Sequence, residues 1–227
     1  MKEVTMEKRV SVTEWSAIIR VLHWVMAITI FVLIGTGFYL ARPFMTISGE
    51  TTDKFLMNNI RLVHVLFGLF LTFTFFWRVY VGFFPKYHEG WKQFLAFTDW
   101  KNLLKQVKFY TLLSTEKPEH TYLYGPLQSI AYGGIFILIF FIVLTGLILM
   151  GANYDTGITG LIYVILRPFE TMMGGLVTVR YIHHILTWLF VLFIFIHIYM
   201  AFWYDVVYKE GTVSSIINGR VFRKIEE

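Results

Sequence analysis

The sequence contains no cysteine. That absence excludes disulfide bonds, thiolate-held iron-sulfur clusters and Cys-built zinc sites. Charge is scarce as well. Asp, Glu, Lys and Arg make up 15% of the 227 residues, against roughly 25% in a soluble globular chain. Hydrophobic residues reach 56% and aromatics 19%, a composition that lipid solvates better than water does. The net charge of +5 does not indicate nucleic acid, because Lys and Arg gather in the segments between apolar runs, as they do beside membrane spans. The N-terminus also lacks a cleavable leader pattern: about twenty polar residues precede the first apolar run, and no small-residue cleavage site follows it. The first apolar run is therefore expected to stay in the mature protein.

Four runs meet the requirement of about 20 apolar residues for crossing a hydrocarbon layer: Val21 to Ala41, Leu62 to Phe84, Leu127 to Asn153, and Tyr181 to Tyr204. In a bilayer a spanning backbone satisfies its own hydrogen bonds, so these runs predict helices. The expected fold is an all-α, integral membrane four-helix bundle forming one domain over residues 1–227. Lys and Arg are dense in the N-terminal tail, in the middle loop and in the C-terminal tail, and sparser in the other two loops, which predicts both termini on the cytoplasmic side. In the middle loop, Trp91, Phe94, Phe97 and Trp100 alternate with lysines at helical spacing, predicting an additional helix in the membrane interface, with His88 and His120 as solvated surface residues. The stretch Gly157 to Met173 is expected to form a short helix packed on the outside of the bundle or, as the alternative, against a partner.

Three of the spans open on the same motif. Arg20-Val21-Leu22-His23, Arg61-Leu62-Val63-His64 and Arg180-Tyr181-Ile182-His183 are each Arg-x-x-His, and His197 follows His183 by fourteen residues. Residues three apart share a helix face, so each motif sets a guanidinium at the membrane boundary and an imidazole one turn inside it. This is the donor set that haem requires, with imidazole for iron and guanidinium for the propionates. Without cysteine the haem would be b-type and noncovalent.

The predicted topology sorts the histidines by depth. His64 and His183 fall near the outer surface, while His23 and His197 fall near the inner one. Fourteen residues rise about 21 Å and return the helix to within about 40° of its starting direction, so His183 and His197 face one bundle interior, whereas His184 misses it by about 140°. Two bis-His pairs follow, His64 with His183 and His23 with His197. The same increment from His64 reaches Arg78, a charge inside the second span whose position demands a partner; from His23 it reaches Gly37, which leaves room beside the outer macrocycle. Arg61 and Arg180 are then the propionate candidates outside, and Arg20 and Arg78 those inside, with interfacial snorkelling the competing explanation for Arg20, Arg61 and Arg180. A single tetrahedral zinc is disfavoured because the two histidine levels are too far apart to share an ion.

These motifs, the run through His183-His184 to His197-Ile198-Tyr199, and the tail from Asp205 to Arg220 (Asp-Val-Val-Tyr-Lys-Glu-Gly-Thr-Val-Ser-Ser-Ile-Ile-Asn-Gly-Arg) resemble the cytochrome b subunits of membrane-bound nickel-iron hydrogenases. That group is related to formate dehydrogenase gamma subunits and b561-like bacterial cytochromes. The resemblance implies a bacterial inner-membrane protein that passes electrons through two haems b to menaquinone or ubiquinone. Its implied partners are a small iron-sulfur subunit and a large nickel-iron subunit, with the surrounding lipid. Two alternatives stay open: a cytochrome serving formate dehydrogenase or another periplasmic oxidoreductase, and a haem-free transporter or scaffold.

Overall fold

The computed structural model describes residues 9–44, 55–84, 91–115, 125–154 and 156–224; His88 and His120 lie outside them. Four long helices, α1 (Ala17–Ala41), α2 (Leu56–Phe83), α4 (Pro126–Asn153) and α6 (Leu176–Tyr208), are long and apolar enough to span a membrane. α1, α2 and α6 begin four to six residues earlier than the apolar runs, so Arg20, Arg61 and Arg180 stand on helices rather than in loops. Their lateral surfaces stay apolar, with Phe31 59%, Phe73 63% and Phe195 71% exposed. In water such a surface would aggregate; facing lipid it is matched to its solvent. The protein is an all-α integral membrane protein with short additional elements.

The chain forms two compact units: residues 1–23, 80–133 and 193–227 in one, residues 24–79 and 134–192 in the other. In the first unit, α3 (Trp100–Tyr110) occupies part of the predicted interfacial segment, preceded by a 3-10 turn at Trp91–Thr98. Asp99 caps α3 by accepting from the Asn102 amide at 3.1 Å, the usual device for an orphan N-terminal donor. The helix is amphipathic: Leu103, Gln106, Phe109 and Tyr110 are buried, and Trp100 and Leu104 are exposed. Gln106 accepts from the Leu127 amide at 2.8 Å, satisfying one of the free donors at the start of α4. Phe109 and Tyr110 pack against Tyr204, Trp203 and Tyr208, and burial pushes the Tyr110 phenol up, keeping it protonated.

The same unit carries two strands that sequence periodicity did not indicate. β1 (Arg9–Thr13) pairs antiparallel with β2 (Arg220–Lys224), Thr13 opposite Arg220. The tail reaches this position through α7 (Thr212–Asn218), whose Thr212 amide is held by Asp205 at 2.7 Å. Trp15 Nε1 donates to Ser215 at 3.1 Å, and Arg223 pairs with Glu14 at 2.8 Å. Gly219 ends α7 at φ +84, where a Cβ would lie 2.9 Å from the Trp15 carbonyl and 3.2 Å from the Arg20 guanidinium. Gly219→Ala is expected to destabilise this clasp by about 1–3 kcal/mol, from left-handed backbone strain with the contact added. Thermal unfolding followed by loss of the Trp15 environment checks it, and an unchanged Tm would refute it.

In the second unit, Phe75, Ile139 and Phe190 form one core cluster, and Leu144, Ile148 and Val179 another. α5 (Gly157–Met173) packs on the latter through Tyr163, Leu166 and Met173, as a short helix on the bundle was expected to do. A Cβ at Gly151 would stand 2.7 Å from that of Tyr163, so α4 accepts α5 closely because Gly151 has no side chain.

Candidate metal centres

Each unit brings one predicted histidine pair together. His23 of α1 and His197 of α6 have ring centroids 6.1 Å apart with planes at 45°. One turn before His197, Phe193 stacks on its imidazole at 5.6 Å and 11°. In the other unit, His64 of α2 and His183 of α6 stand 6.4 Å apart at 74°. An imidazole nitrogen bonds a metal at about 2.0 Å and lies about 1.1 Å from its ring centre, so two imidazoles that shared one metal from opposite sides would put their centres about 6.2 Å apart. Both observed separations fit that value. Edge-to-face packing alone covers a wider range, about 4.5–7 Å, and gives no reason for two separate pairs to agree. Among the described residues, no group of three or more His, Cys, Asp or Glu is arranged to hold a metal ion, so the donors suit a haem iron that brings its own four nitrogens better than a bare cation.

The His64–His183 pair has hydrogen-bond partners that sequence reasoning missed. Thr36 Oγ1 of α1 lies 2.8 Å from Nδ1 of His64, and Thr145 Oγ1 of α4 lies 2.8 Å from Nδ1 of His183. Each threonine is followed by glycine. A Cβ at Gly37 would come within 3.3 Å of Cε1 of His64, and one at Gly146 within 3.4 Å of Cε1 of His183. Gly37 thus makes room for the His64 ring. The available signal was a Thr-Gly dipeptide inside the C-terminal half of both α1 and α4.

The remaining predicted residues are placed as follows. His184 packs edge-on against Phe38 at 5.9 Å and Trp188 at 6.5 Å. His184→Ala is accordingly expected to keep the full haem content, and a pyridine haemochrome assay that found a haem missing would contradict its packing role. Arg78 holds its guanidinium 5.7 Å over the Phe136 ring, an aromatic partner for its charge inside the span. Arg20 donates to the Ile217 carbonyl of the tail. Arg61 and Arg180 are exposed.

The sequence profile of prokaryotic cytochrome b561 matches residues 14–219. The chain belongs to that family. It is similar to probable nickel-iron hydrogenase B-type cytochrome subunits: 32% identical to that of Rhodobacter capsulatus, over 96% of this chain and 85% of the relative. The Bradyrhizobium diazoefficiens protein of the same name is 30% identical over 95% and 88%, and the Azotobacter vinelandii one 31% identical over 95% and 91%. As a b561-family cytochrome, the chain is a membrane-embedded b-type electron-transfer protein of the hydrogenase-associated group, and the match includes all four paired histidines.

Proposed function

We propose that this cytochrome is the membrane subunit of a nickel-iron hydrogenase. In this reading it holds two haems b, one between His64 and His183 near the outer surface and one between His23 and His197 near the inner surface, and delivers electrons to a quinone. The distribution of Lys and Arg supports cytoplasmic termini. The observation that carries the reading is the pair of imidazole couples, both at the separation one intervening metal requires. The names of the relatives favour a hydrogenase partner over formate dehydrogenase.

Each bound haem supplies a one-electron carrier. The chain's residues determine how it is held. His64 with His183 and His23 with His197 would hold the two irons, and a group held by two imidazoles would suit electron transfer rather than binding of a small molecule. The apolar helix surfaces keep water away and lower the dielectric around the site. Arg61 and Arg180 outside, with Arg78 and Arg20 inside, would offset propionate charge; Arg20 would do so with the N–H groups not spent on Ile217. The chain has no cysteine, so the hydrogen-activating centre and its iron-sulfur relay come from the large and small partner subunits.

The test uses the cytochrome purified with its native companions. A pyridine haemochrome assay is expected to return two haems b per chain, and hydrogen alone to reduce both. Absence of Soret absorbance after expression with ample haem would defeat the reading. Haems that formate reduces and hydrogen does not would transfer the chain to a different oxidoreductase.

A further inference from the structure

Thr36 and Thr145 do more than fill space. Each hydroxyl lies within reach of its own helix's carbonyl one turn back: Thr36 Oγ1 is 2.7 Å from the Val32 oxygen, and Thr145 Oγ1 is 2.8 Å from the Phe141 oxygen. A threonine hydroxyl has one proton. Given to the carbonyl, it leaves the oxygen as an acceptor, so the 2.8 Å contacts to His64 and His183 are N–H···O bonds with the imidazole Nδ1 as donor. That arrangement fixes the tautomer: the proton sits on Nδ1, and Nε2 keeps its lone pair for iron. Gly37 and Gly146, one residue on, let the two helices come near enough for the contact. Two histidines from α2 and α6 are thus buttressed by matching Thr-Gly pairs from α1 and α4.

We infer that Thr36 and Thr145 are positioning residues that set the reduction potential of the outer haem. This inference rests on the assignment of His64 and His183 as its ligands. An Nδ1–H that donates makes its imidazole a better electron donor to the metal, which favours ferric over ferrous iron and lowers the potential. With a threonine on each side, both ligands are biased in the same direction.

The experiment is a potentiometric titration of the complex carrying Thr36→Val or Thr145→Val, which remove the hydroxyl at nearly constant shape. Each is expected to weaken the ferric preference about tenfold, an upward shift of about 59 mV for a one-electron couple. The shift should fall on one haem, the same haem for both variants, with the other unchanged as an internal reference. Thr36→Ser and Thr145→Ser keep a hydroxyl and should restore the original potential. Loss of the outer haem in a Val variant with retention in its Ser counterpart would equally support the role. Two haems with unmoved potentials in the Val variants, shifts divided between both haems, or Ser variants that behave as Val would overturn it. A failure of the ligand assignment shows separately, as an unchanged haem count in His64→Ala.

Discussion

His183→Ala is expected to leave one haem per chain where the wild-type protein carries two. The substitution removes one of two imidazoles whose centres are 6.4 Å apart, and His64 alone would supply only one of the two nitrogens proposed to hold the iron. His64→Ala should give the same product, because the two side chains act as one site contributed by α2 and α6. Loss of a second-layer partner typically costs 10–100-fold in metal affinity, so loss of a direct ligand is expected to exceed about 100-fold. Hydrogen-driven reduction of the remaining haem should collapse with it, since the outer haem is the proposed entry point. Haemochrome quantification with anaerobic reduction under hydrogen measures both effects. Retention of two haems in His183→Ala would mean that the ring pairing is packing and not ligation.

The second large effect belongs to the inner pair. His197→Ala or His23→Ala should again halve the haem content, with a different functional signature: the surviving haem still reduces under hydrogen, while electron delivery to quinone stops. His197 is held by the Phe193 ring stacked on it and faces His23 at 6.1 Å, so the alanine variant removes the ligand and leaves its packing partner in place. The contrast between the two pairs is the informative result. If variants at both pairs abolished hydrogen-driven reduction of the residual haem equally, the order of the two haems would be wrong.

Much of this site was legible before the tertiary structure. The helices follow from long apolar runs, and α1, α2, α4 and α6 overlap the expected spans. The facing of His183 and His197, and the exclusion of His184, follow from helical rotation alone. The partners of these residues were less accessible. A threonine inside a helix usually bonds its own backbone one turn back, as Thr72 and Thr74 do here, so only the glycine after each set Thr36 and Thr145 apart from them. The two strands were missed because each is five residues long and stabilised by the other, two hundred residues away in sequence. The tail contact of Arg20 was out of reach for the same reason: its motif marked a membrane boundary, and Ile217, which its guanidinium also engages, is distant in sequence.

The amino-acid sequence by itself determined what depends on local period and composition: membrane residence, four spans, noncovalent haem if haem is bound, and which histidines share a face. Those properties rest on hydrophobic length and on a rotation of about 100° per residue, neither of which needs a neighbouring helix. Only the tertiary structure decided the separation within each histidine pair, the threonine behind each imidazole of one pair, and the strand pairing that joins the two ends of the chain. These depend on the rotation and offset of one element against another, set by side-chain packing in lipid that has no signature in the period of a single helix.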